Sequence, residues 1–236
     1  MGRIVVGTSG FSYREWKPAF YPEGTSDKKF LSYYATRFPG VEIDGTFYRM
    51  PSAASIDRWQ AETPESFRFA VKASQKSTHF ERLKVPSDST EYFTQIVATL
   101  GERLGTVLFQ LPPNMKRNDE RLASFLASLP ASLPRAFEFR NASWFDPAIF
   151  DMLRAHHATL CCNDSDESTT PLELTGPHVY LRLRKTSYDA AAFDVWESRL
   201  REWAAAGKDV FAFIKHEDNP EAAQIALSFW SRFANG

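Results

Sequence analysis

Three short runs carry ionisable side chains at every second position. In VEID, Glu42 and Asp44 alternate with Val41 and Ile43; in FEFR, Glu138 and Arg140 alternate with Phe137 and Phe139; in VYLRLR, Tyr180, Arg182 and Arg184 alternate with Val179, Leu181 and Leu183. A two-residue period belongs to a β-strand, whose side chains point alternately to opposite faces, so each run collects its charges on one face. Other polar residues stand late in apolar runs: Lys72 in FRFAVKA, Gln110 in TVLFQL, Asp164 in ATLCCND, and Lys215, His216 and Glu217 after DVFAFI. A charge left unpaired in a protein interior costs several kcal/mol, so these groups must pair with one another or meet solvent and ligand. A purely structural ion-pair network is one reading. The ligand-site reading is preferred because the charges come from several separate runs, where apolar fillers would serve stability equally well.

The cations of this set, Lys72, Arg140, Arg182, Arg184 and Lys215, outnumber Glu42, Asp44 and Glu138. That balance favours an anionic ligand, since guanidinium forks match phosphate and carboxylate oxygens. Aromatic residues follow the same runs: Phe11, Tyr13 and Trp16 after the first, Phe47 and Tyr48 after the second, Trp144 and Phe145 after the fifth. They either pack the loops or offer faces to a sugar or nucleobase bearing phosphate. The expected partner is a small anionic or phosphorylated ligand, or a nucleic-acid fragment.

Three classes of function fit. In the first, Glu42 and Glu138 supply acid–base chemistry for hydrolysis while Lys72, Arg140 and Arg182 hold the anion. A metal-assisted form would recruit Glu42, His79, Glu138, Asp164 and His216, but no close histidine pair exists and the cationic neighbours oppose a divalent ion. In the second, paired carboxylates cleave a glycoside. In the third, the same residues hold a metabolite or nucleic-acid end without catalysis. No cofactor is called for, because phosphate-binding loop, nucleophile-elbow and zinc-finger spacings are absent.

Positioning these groups requires a scaffold that brings strand ends together. Eight β-like runs begin at Arg3, Val41, Phe67, Thr106, Arg135, Ala158, His178 and Asp209, and most are followed by a segment with helical spacing. Their near-continuous hydrophobicity suits strands covered on both faces, and eight is the number at which a parallel sheet closes. The fold class expected is α/β, a single (β/α)₈ barrel over residues 1–236, with the site at the mouth formed by the strands' C-terminal ends. An open doubly wound sheet is the alternative, but its glycine-rich fingerprint is missing. Helix starts are readable at Asn118, at Asp146 before Pro147 and at Asn219 before Pro220, and a stop at Gly207. The interval from Asp164 to Pro177 shows no helical stripe, so an irregular connection is expected after the sixth strand.

With 28 Lys plus Arg against 29 Asp plus Glu, any basic patch must be local rather than global. The start, MGRIVVGTSG, has no leader-like apolar region, and no apolar run approaches the roughly 20 residues a membrane span needs. The two cysteines, Cys161 and Cys162, are adjacent and unsuited to a disulfide with each other. A cytoplasmic protein without membrane contact is expected, and no protein partner can be inferred.

The segments GTSGFSYREW, VEIDGTFYRMPS, FAVKA with its STH, LGTVLFQLPPN, AFEFRNASWF and FIKHED together resemble the YecE-like proteins, domain of unknown function 72. They occur in order along nearly the whole chain. The resemblance implies a TIM-type barrel and places the family's signature residues at Gly7, Ser9, Glu42, Thr46, Tyr48, Lys72, His79, Gln110, Pro112, Glu138, Arg140, Trp144 and Asp164. The chain departs from the family in two places. Many members carry a His-Gly pair after the seventh strand, where this chain reads RLRKTSYD, and many end the eighth with paired asparagines, where it has Lys215 and His216. Ligand contacts there are expected to differ.

Overall fold

Each of the eight apolar runs forms a strand, and all pair in parallel. A computed structural model describes residues 1–167, 169–215 and 221–234. The strands are β1 (Ile4–Thr8), β2 (Gly40–Ile43), β3 (Arg68–Lys72), β4 (Leu104–Gln110), β5 (Arg135–Glu138), β6 (Thr159–Asp164), β7 (Val179–Leu183) and β8 (Val210–Ile214). They lie in the order β1-β8-β7-β6-β5-β4-β3-β2. The interposed helices are α1 (Phe30–Tyr34), α2 (Ala53–Ala61), α3 (Asp88–Ala98), α4 (Asp119–Ser128), α5 (Pro147–Ala155), α6 (Ala190–Ala205) and α7 (Ala222–Ala234). No helix separates β6 from β7 among the described residues, so the chain runs irregularly there as its composition predicts. The result is a nearly closed (β/α)₈ barrel.

Local signals act as expected. The Asn118 side chain accepts from the Arg121 amide at 2.9 Å and starts α4, Asp146 caps the Ala148 amide ahead of α5, and Gly207 ends α6 with a φ of +84°. Asn219 and Pro220 lie outside the described residues. No described helix is long and apolar enough to cross a membrane.

Strand alternation sorts the buried residues into two sets. Val5, Ala70, Leu108, Ala136, Cys161, Tyr180, Phe211 and Phe213 fill the barrel, while a larger set including Val41, Ile43, Phe137, Leu181 and Leu183 packs between strands and helices. Cys161 and Cys162 fall in different sets, which keeps both thiols buried and apart. Small Ala70 and Ala136 leave room for Tyr180, Phe211 and Phe213, filling the interior from alternate strands.

Between β1 and β2 the backbone ladder shrinks to one bridge, Ser9 with Glu42, where the Gly10 amide donates to the Glu42 carbonyl at 2.7 Å. Earlier along the seam, the Tyr34 hydroxyl stands in for backbone pairing. It accepts from the Thr8 amide at 2.8 Å and donates to the Gly40 carbonyl at 3.3 Å. Changing Tyr34 to phenylalanine keeps the ring against Phe38 but leaves a buried amide and carbonyl unserved, and is expected to cost about 1–3 kcal/mol in a urea titration. A variant as stable as the parent would show that the hydroxyl does not hold the seam.

Candidate functional site

The C-terminal layer of the barrel is polar, and its centre is one guanidinium. Arg182, inward on β7, reaches Glu42 of β2 through Nη2 at 2.6 Å and Glu138 of β5 through Nη1 at 2.7 Å. Each carboxylate has a further donor: the Tyr180 hydroxyl on Glu42, and the Gln110 amide at 2.9 Å from both oxygens of Glu138. Glu42, Glu138 and Arg182 are 0%, 1% and 3% exposed, so the triad is almost wholly withdrawn from solvent. Burial alone would raise both carboxyls. For Glu42 the Arg182 charge and the Tyr180 hydroxyl more than offset it, holding the pKa below the ordinary range. For Glu138 the charges of Arg182 and Arg184, with the bonds from Arg182 and Gln110, bring it down to about 2.

This arrangement bears on the expectation that Glu42 and Glu138 supply acid–base chemistry. A general acid must hold a proton near neutral pH, and a useful base must compete for one. Both groups are instead paired with Arg182, which favours their ionised forms over the protonated form a general acid needs.

Two cavities are lined by residues that follow the C-terminal ends of the strands. One, of about 740 Å³, is lined by Glu138, Arg140, Asn163, Thr170, Arg184 and Lys215 among others. Arg184 is half-buried, and its one described ion pair is a loose 3.7 Å approach to Glu138. Burial, then repulsion from Arg182, lowers its pKa, and Arg140 adds to the repulsion. The rim also carries Asp166 and Glu167, but Asp166 is occupied by the Thr186 amide and hydroxyl at 2.8 and 2.7 Å. The other cavity, of about 710 Å³, lies by the loops after β1 and β2 and is lined by residues including Tyr13, Asp44, Thr46 and Arg49. Burial, then the charge of Glu42, raises the Asp44 carboxyl.

Lys72 ends β3, in the sheet between β2 and β4. Its Nζ rests 4.2 Å from the Phe47 ring centroid, and burial followed by repulsion from Arg182 lowers its pKa to about 8 despite the pull of Glu42, Glu138 and Asp44. His79, on a π-helical turn at Lys76–Phe80, packs edge-on against Phe47 with Nδ1 2.9 Å from the Thr78 hydroxyl. Burial, then the charges of Lys72, Arg140 and Arg82, lower its pKa and keep the ring neutral at pH 7.

Several expected site residues serve other ends. Trp16 and Trp144 are fully buried, and Trp144 stacks on Phe139 while its indole donates to the Met115 carbonyl at 2.7 Å, so neither offers a face to a ligand. Asp164 follows the opposite alternation, away from the barrel interior. Its carboxylate meets Lys185 at 2.9 Å and the Trp196 indole at 3.3 Å on the helix side. The buried Thr46 hydroxyl is taken by the carbonyls of Ile43 and Lys72, at 3.0 and 2.6 Å, and ties β2 to β3. Ser9 is buried at the β1–β2 bridge. Tyr13 is half-buried against Trp16, whereas Tyr48 is 77% exposed. His216 lies outside the described residues. Among the described residues no three His, Cys, Asp or Glu side chains gather as a metal group.

Reading charges alone missed two residues. Asn163 pairs in register with Arg182, faces the larger cavity and has a buried Oδ1 without a hydrogen-bond partner. The alternation in TLCCND gives the signal: with Cys161 inside, Asn163 is inside and Asp164 is not. Phe80, 72% exposed beside the mouth, carries no such signal.

Comparison with known proteins gives a consistent picture. The model of the family described as "Protein of unknown function DUF72" matches residues 5–236. The UPF0759 protein YunF of Bacillus subtilis (strain 168) is 35% identical over 156 residues, 63% of this chain and 54% of that protein. The UPF0759 protein YecE of Escherichia coli (strain K12) is 31% identical over 116 residues, 49% of this chain and 43% of that protein. The chain thus spans about half the length of these curated relatives. A crystal structure of a DUF72 family protein from Thermotoga maritima MSB8 superposes with a TM-score of 0.83 at 28% identity, covering 98% of both chains. One from Enterococcus faecalis V583, at 19% identity and a TM-score of 0.74, covers 99% of this chain and 96% of its own and shows the shared fold. With the family model matched from β1 through α7, the chain belongs to the DUF72 family.

Proposed function

We propose that the barrel mouth binds a small anionic molecule, a phosphate or carboxylate compound, in the cavity bounded by Arg140, Asn163, Arg184 and Lys215. The observation that carries this reading is the crowding of positive charge. Arg184, Lys72 and His79, on three different segments, each have their protonated form disfavoured first by burial and then by neighbouring cations. The carboxylates that could relieve the crowding are drawn to Arg182, leaving Arg184 its one long contact. A bound anion relieves that repulsion, and a half-buried guanidinium strengthens the attraction beyond what bulk water allows. Asn163 supplies a neutral side chain able to orient the ligand. The locked state of Glu42 and Glu138 favours binding over hydrolysis by that pair.

Calorimetric titration with inorganic phosphate and with glucose 6-phosphate at low salt tests this reading. Saturable binding is expected, weakening as salt screens the mouth. Arg184→Ala is expected to reduce affinity about tenfold to a hundredfold, the scale of a lost charged hydrogen bond, with thermal stability little changed. Absence of saturable binding by the parent, or equal affinity in the variant, would overturn the proposal.

A further inference from the structure

Among the inward cations, Lys72 is the one whose surroundings suit covalent chemistry. Arg182 is consumed by two carboxylates, and guanidinium groups stay protonated and are poor nucleophiles. The Lys72 ammonium makes no hydrogen bond or ion pair with a described residue; its one described partner is the face of Phe47 at 4.2 Å. The stem is fixed at the strand end, where the Thr46 hydroxyl holds the Lys72 carbonyl at 2.6 Å and the Ala73 amide bonds the Leu108 carbonyl at 2.8 Å. The side chain is part-exposed, within electrostatic reach of Asp44, which lines one cavity, and Glu138, which lines the other.

We infer that Lys72 is an amine nucleophile that forms an imine with the carbonyl group of an anionic aldehyde or ketone bound in the mouth. This rests on the anion-binding reading above and adds to it the class of substrate. The Nζ lone pair forms a bond to the carbonyl carbon while the C=O π pair moves to oxygen, which takes up a proton as nitrogen gives one up. The resulting carbinolamine hydroxyl is then protonated and leaves as water, the nitrogen lone pair closing the C=N bond. No oxidant or reductant is needed. The protons are exchanged with solvent at the part-exposed side chain; Asp44, a half-buried carboxyl just after the neighbouring strand, is within electrostatic reach of the amine, and its pKa is raised by burial and by Glu42. The protonated imine draws electrons from the bond adjacent to the former carbonyl carbon, the general use of lysine imines in catalysis.

The charges around the amine act in both directions. Arg182 opposes protonation of Lys72, whereas Glu42, Glu138 and Asp44 favour it, and burial tips the balance to a pKa of about 8. Neutral His79 beside Phe47 adds no charge. A lysine near 8 holds a roughly 250-fold larger neutral fraction at pH 7 than one at the ordinary value. Because the amine reacts as the free base, adduct formation should rise with pH and level off above about 8.

Pyridoxal 5′-phosphate, an aldehyde carrying phosphate, provides the test, with pyridoxine 5′-phosphate as its non-carbonyl counterpart. The full chain is treated with substoichiometric aldehyde, reduced with borohydride and mapped by peptide mass. The proposal expects labelling at Lys72 at least about tenfold above any other lysine, slowed by inorganic phosphate, with the imine absorbance band lost in Lys72→Arg and in Lys72→Met. Calorimetry with pyridoxine 5′-phosphate reports anion binding separately, and circular dichroism reports folding of the variants. If the alcohol binds the parent but the aldehyde labels Lys215 or surface lysines instead, the imine inference is overturned and the anion site stands. If neither phosphate compound binds, both readings fall.

Discussion

Changing Arg182 to methionine is expected to destabilise the protein by about 3–5 kcal/mol, the scale for removing one partner of a buried ionic cluster. Methionine replaces much of the stem's volume, so packing loss is kept small and the effect reports the charge. Without the guanidinium, Glu42 and Glu138 keep Tyr180 and Gln110 as hydrogen-bond donors, and Glu138 its 3.7 Å approach from Arg184, in a layer with almost no solvent exposure. In the parent, the folded-state value of about 2 for Glu138 lies below its ordinary 4.5, so its contribution is present above the ordinary value and lost as pH falls through 2. In the variant the sign reverses. Burial then dominates, the folded-state pKa exceeds the unfolded one, and the penalty is full at neutral pH but shrinks as acid protonates the carboxyls. Urea titrations at pH 7 and at about pH 4 should therefore show the gap between parent and variant narrowing in acid. Adding Glu138→Gln to Arg182→Met should restore part of the loss at pH 7. A gap unaffected by pH would mean that the triad is not the source of the destabilisation.

The same triad shows how far side-chain alternation carries a reading of this chain. Period-two patterning placed Glu42, Glu138 and Arg182 on the barrel's inner face, because the strand geometry that dictates direction is local. Whether they would face a ligand or each other depends on distances across the barrel, between strands far apart in sequence, and no pattern within a strand contains those. For Asp164 the parity of TLCCND, not its charge, tells the face: Cys161, Asn163 and Arg182 share the inside, and Asp164 does not. Aromatic residues were least legible. Trp16 and Trp144 look like Tyr48 in sequence, since each follows a strand, yet the first two are sealed and Tyr48 is 77% exposed. The difference lies in partners such as Phe20, Tyr21 and Phe139, which arrive from the fold. Eight strands, and a passage before β7 without a helix among the described residues, were legible because each rests on composition within a few residues.

Closure of the barrel gives the second large effect. Gly7→Ala is expected to destabilise the protein by about 3 kcal/mol or more, at or beyond the upper end of ordinary overpacking. A Cβ at Gly7 would lie 2.2 Å from the Gly40 carbonyl oxygen and 2.9 Å from the Tyr34 hydroxyl. The obstacle is backbone, not the end of a pliable side chain. Moving it aside shifts β2, which carries Glu42 into the triad and pairs with Ser9 across the seam. Gly24→Ala is the control, since a Cβ there meets nothing within 4 Å, and it should change stability by no more than about 0.5 kcal/mol. If closure also sets the geometry of the mouth, Gly7→Ala should weaken phosphate binding under conditions where the variant remains folded, while Gly24→Ala leaves it unchanged. Equal stability of the two variants would mean that β1 and β2 can separate without cost, and that the close approach at Gly7 is not what holds Glu42 beside Arg182.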